Sequence, residues 1–150
     1  MSLTSKTLLN FATYYVAAVI GVIILFAILE SVAQIEAPSS IGLITFMAAV
    51  MGAGTKLGEQ LSEIPSSGIL WGLAFKMTLL SIFISLALAG VFLAFLQYAD
   101  PAQVKEIFGL FRGDFGFVGM IMLALLLVYL LMARLFLRMG IKAGMKKRAA

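Results

Sequence analysis

Three side chains in this sequence could act together: the carboxylates of Glu59 and Glu63, four residues apart, and the amine of Lys76. Carboxylates at i,i+4 share a face if a helix runs through them, and in a cleft such a pair can bind a cation or divide acid and base roles. In open solvent the same pair is only a wet helix end. Lys76 interrupts an apolar stretch, and an ion within a bilayer is a functional candidate, costing about 2.5–3.5 kcal/mol at the centre even on the lower scales. Because Met77 to Gln97 already suffices to span, Lys76 can instead sit at the boundary and snorkel to water, with Trp71 beside it. Drawn inward, it would pair with Glu59 or Glu63.

Little other chemistry is available. The chain has no His and no Cys, so it lacks the usual ligands for zinc, copper, haem and iron–sulfur clusters, the commonest acid/base group near neutral pH, and any disulfide. No catalytic, cofactor-binding or metal site is expected. Met47 and Met51 read as packing residues. An enzyme would need convergent acid, base or metal groups, and the spans offer none.

These side chains are set among four apolar runs. Of 150 residues 63% are hydrophobic and 12% charged, where a soluble domain has about a quarter charged. The pattern predicts an all-α fold, an integral membrane four-helix bundle in a single domain, 1–150, with spans at about 8–29, 39–57, 68–98 and 115–136. A basic cytoplasmic tail, 137–150, follows. Each run approaches the roughly 20 residues a crossing helix needs. Tyr14 and Tyr15 fall where an aromatic belt is expected. A cleaved signal peptide is the alternative for the first run, since Ser31-Val32-Ala33 resembles a cleavage site, although the run exceeds the usual apolar core of about 7–15 residues.

The second run starts after Pro38-Ser39-Ser40 and places Ala49, Ala53, Gly54 and Gly58 at small-residue spacings that let another backbone approach. That face could make a dimer or pack within the chain's own bundle. Pro65 ends the polar connection, and Ser66 or Ser67 caps the third helix. Within that helix Thr78, Ser81 and Ser85 form a weakly polar packing stripe. Asp100-Pro101-Ala102-Gln103 is a helix start, and Val104, Ile107, Phe108 and Phe111 give the next segment one apolar face. A short interfacial amphipathic helix is therefore expected between helices 3 and 4, or alternatively a docking surface for a partner helix. Arg112-Gly113-Asp114 is a chance tripeptide.

Arg134, Arg138, Lys142 and Lys146 recur every four residues, joined by Lys147 and Arg148, and should meet anionic lipid head groups at about 1 kcal/mol each. Gly140 and Gly144 should loosen this tail. With four spans, nine of the eleven Lys and Arg lie on the side of both termini, and only Lys105 and Arg112 lie opposite. The charge rule makes the nine-residue side cytoplasmic. A bilayer, rather than nucleic acid, accounts for the positive charge.

The four spans, the Ser39-Ser40 entry, the Ala/Gly-rich second helix and the polar Pro-containing connection from Gly58 to Trp71 resemble the small proteobacterial inner-membrane proteins of the ABZJ family. That resemblance implies a bacterial inner (cytoplasmic) membrane and supplies no activity. Small multidrug transporters also have four spans, with a glutamate inside the first, whereas Glu30 stands at the end of this one. The expected function is a non-enzymatic accessory or interaction protein, either an assembly subunit or an immunity-type protein, working as a homo-oligomer or with a membrane-protein partner. A small oligomeric channel or transporter using Lys76, Glu59 and Glu63 is the alternative, and a membrane enzyme ranks last.

Overall fold

The computed structural model describes residues 3–34, 38, 40–102, 104–105 and 115–149. Its elements are α1 (Leu3–Ala33), α2 (Ile41–Gly58), α3 (Ser67–Ala99) and α4 (Phe115–Ala149). Among the described residues there is no strand. Each helix is long and apolar enough to cross a membrane, in α4 over Gly119–Arg148. Among the described residues the chain is thus all-helical, with four long helices and the composition of a multi-pass membrane protein.

The helices are of unequal length, and the short one is central. α2 has 18 residues against 31, 33 and 35 in the others. It packs on α1 and most extensively on α4, while α3 leans on α4 and α1. Tyr15 of α1 and Tyr129 of α4 both meet Phe46 of α2. Past Tyr15, α1 runs on for about 27 Å, whereas α2 starts only about 7 Å before Phe46, at about 1.5 Å per residue.

The buried core is confined to the end of the bundle that α2 reaches. Phe11, Phe46, Val50, Met77, Leu137 and Ile141 are its largest fully enclosed apolar side chains. Phe11 and Tyr15 stack, with Phe46 edge-on to both. Tyr15 is therefore a core residue, 6 % exposed, and its hydroxyl shares a hydrogen bond of 2.9 Å with Ser85 Oγ. The expected belt position fails for it because α2 and α3 close over that face. At the other end α1 stops at Ala33, with Gln34 in the left-handed region at φ 53.

α2 and α4 run in the same direction and touch backbone to backbone. Gly54 and Gly58 of α2 interlock with Gly140 and Gly144 of α4. A Cβ on Gly54 would lie 2.8 Å from the Leu137 carbonyl oxygen, and one on Gly140 would overlap the Met51 carbonyl. Likewise a methyl on Gly58 would overlap the Ile141 carbonyl, and one on Gly144 that of Thr55. Gly140 and Gly144 thus do not loosen the tail. α4 continues unbroken through them, because the contact they admit outweighs a propensity loss of about 1 kcal/mol each. The dimerisation reading of Ala49, Ala53, Gly54 and Gly58 meets the same fact: all four are buried within this chain.

Helix ends depart from expectation in detail. Ser40 and Ser66 occupy the N-cap positions, but neither hydroxyl makes a cap bond. Asp100 does act as expected, its Oδ1 accepting from the Ala102 N–H at 3.1 Å. Residues 101–102 and 104–105 are helical and Val104 is buried. The remainder of the expected interfacial helix, with Gln103, Glu106, Ile107, Phe108, Phe111 and Arg112, lies outside the described residues, as does Ser39.

Candidate functional site

The glycine contact brings the end of α4 alongside the end of α2, and there the polar side chains assemble. α2 closes with tightened turns, Gln60 N–H to Leu57 O at 3.0 Å and Leu61 N–H to Gly58 O at 3.2 Å. Such i to i−3 bonds use up terminal carbonyls and turn the chain off the helix axis. Glu59 is left at the exit. Its two oxygens accept from Lys147 Nζ at 3.2 Å and Lys56 Nζ at 3.3 Å. The Lys147 bond, followed by the Lys56 bond, holds the Glu59 carboxyl below its ordinary range, against a smaller opposing effect of partial burial. One turn on, Arg148 donates to the Leu61 carbonyl at 3.3 Å.

Another cation is fixed nearer the start of α4. The Arg134 guanidinium lies over the Trp71 ring, 4.5 Å from its centre, and donates to Ser67 Oγ at 2.9 Å. Stacking on an indole together with a directed bond uses the planar fork of arginine in a way lysine cannot reproduce. Beside it an open groove of about 390 Å³ is lined by Leu131, Arg134, Leu135, Arg138, Met139 and Lys142. Arg138, Lys142 and Lys146 are exposed.

The fold does not bring Glu59, Glu63 and Lys76 together. Because α2 ends at Gly58, Glu63 never shares a helical face with Glu59, and it is exposed. Lys76 is exposed as well and forms no ion pair among the described residues. Of the small polar stripe, Ser81 is buried and bonds the Thr78 carbonyl at 2.8 Å, whereas Ser85 reaches Tyr15. Thr78 Oγ1 is buried and has no hydrogen-bond partner. Among the described residues no group of three or more His, Cys, Asp and Glu could hold a metal ion.

Sequence reasoning missed the bond of Glu59 to Lys147 and that of Arg134 to Ser67, which span 88 and 67 residues. It also missed the role of Gly140 and Gly144, although their four-residue spacing repeats that of Gly54 and Gly58 and was a usable signal. No protein-family model, curated protein or solved structure matches the chain.

Proposed function

We propose that the protein is a non-enzymatic accessory or interaction protein of a bacterial inner membrane, with both termini in the cytoplasm. In this reading it is an assembly subunit or an immunity-type protein, and the resemblance to the ABZJ proteins bears on its location alone. One observation supports it best. Among the described residues the last buried position of α1 is Tyr15, the last of α3 before Asp100 is Ser81, and the first of α4 is Ala133. Beyond these levels the three long helices bear many exposed apolar side chains, including Ile24, Phe83, Phe92, Phe95 and Leu123.

In a bilayer, helices associate through close packing and interhelical hydrogen bonds rather than through a hydrophobic drive. The exposed apolar faces are therefore available to helices of a membrane partner or of another copy. The polar end, locked by the glycine contact and by Glu59, would serve as the rigid base from which these helices extend.

Purification from native membranes in mild detergent tests the reading. A stoichiometric membrane-protein partner or a defined homo-oligomer is expected, dispersed by polar substitutions at Phe92 and Leu123. A clean monomer, together with no phenotype on deletion, would overturn it.

A further inference from the structure

We propose that the groove on α4 is a discrete site for one anionic phospholipid, its phosphodiester held by Arg138 and Lys142 beside the anchored Arg134, and its acyl chain lying along Leu131 and Leu135. The expectation of a diffuse basic tail becomes a located site for three reasons. The tail cations are not equivalent: Lys147 is taken by Glu59 and Arg148 by the Leu61 carbonyl. Arg138 and Lys142 instead line the groove without an acidic neighbour in its wall.

Arg134 supplies the second reason. Its guanidinium is positioned by Trp71 and Ser67 while it still forms part of the groove wall. An arginine already ordered loses less entropy on binding and can offer its remaining N–H groups to a phosphate in bidentate fashion.

The third reason is the order of residues along the helix. Leu131, Leu135 and Met139 form one i,i+4 stripe of the lining, and Arg134, Arg138 and Lys142 form the adjacent stripe, set three residues further toward the polar end of α4. A phospholipid has the same sequence of chemistry, hydrocarbon followed by a phosphate of single negative charge. The groove is open along one helix face and holds about 390 Å³, room for a head group and the start of one chain that otherwise stays in the bilayer.

This inference rests on the membrane reading and is independent of any protein partner, since the measurement uses the isolated chain. The full chain in mild detergent is mixed with equal amounts of phosphatidylglycerol and phosphatidylcholine, and retained lipid is counted by native mass spectrometry. One phosphatidylglycerol per chain is expected to persist. The double variant Arg138→Gln, Lys142→Gln should lower retention by about tenfold or more, as loss of charge-assisted bonds to a phosphate would. The charge-matched control Lys6→Gln, Lys146→Gln should keep the lipid, and so should the conservative pair Arg138→Lys, Lys142→Arg. Equal loss in the double variant and the control, equal retention of phosphatidylcholine, or displacement by millimolar inorganic phosphate would overturn the proposal.

Discussion

Gly58 of α2 rests directly on the main-chain carbonyl of Ile141 in α4, leaving no space for a side chain between the two backbones. Gly58→Ala must therefore push the helices apart over the whole interlocked stretch. The expected loss is about 1–3 kcal/mol, the usual cost of overpacking, read as a lower unfolding midpoint in detergent. Gly72 meets nothing within 4 Å of an added Cβ, so Gly72→Ala should be silent or should stabilise by up to about 1 kcal/mol through helix propensity. Equal effects at the two positions would contradict the close approach.

Glu59 makes the tail of α4 sensitive to pH. Its carboxyl titrates below the ordinary value of 4.5 in the folded protein because Lys147 and Lys56 bond its charged form. The stabilisation is complete above about pH 4.5 and disappears as pH falls through the lowered folded value. Hydrogen exchange of residues 142–149, corrected for the intrinsic rate, should show protection lost across that acid window. Glu59→Gln should have the weaker protection above that window, match the wild type below it and show no step, and added salt should narrow the difference.

How much of this was legible beforehand depended on the range of the interaction. The spans follow from hydropathy, a local property, and α3 (Ser67–Ala99) nearly coincides with the expected 68–98. The face formed by Gly54 and Gly58 was equally visible. Its complement carried the same four-residue spacing but was overlooked, because glycine inside a helix reads locally as a weakness until the neighbouring backbone turns Gly140 and Gly144 into contact points. Glu59 and Glu63 appeared coupled through a helix that in fact ends at Gly58. The second run was legible as the shortest, but its level against α1 was not, since no local pattern records where two helices cross. The core at Phe11, Tyr15, Phe46 and Tyr129 was obscured because aromatic residues in an apolar run serve belt, lipid face and core alike.

Tyr15 and Ser85 join α1 to α3 across 70 residues of sequence by one hydrogen bond. Such bonds between membrane helices average about 0.6 kcal/mol and reach about 1.7 kcal/mol. A double-mutant cycle with Tyr15→Phe and Ser85→Ala should give a coupling in that range. Tyr15→Phe retains the ring stack on Phe11, so the cycle isolates the hydroxyl. A coupling indistinguishable from zero would mean that the two groups do not meet in the bilayer.

Thr78 presents the opposite case, a hydroxyl enclosed without an acceptor. The residue is 2 % exposed and its Oγ1 finds no hydrogen-bond partner, although Thr7, Thr45 and Thr55 in the other helices each bond the carbonyl four residues back. An unpaired buried polar group costs about 1–3 kcal/mol. Thr78→Val keeps the shape and removes that group, so it should raise the unfolding midpoint. Thr78→Ser keeps the hydroxyl and removes a methyl from a packed site, so it should lower the midpoint by about 1 kcal/mol. The reverse order would require an acceptor for the hydroxyl, and with it a different packing of α3 against the core.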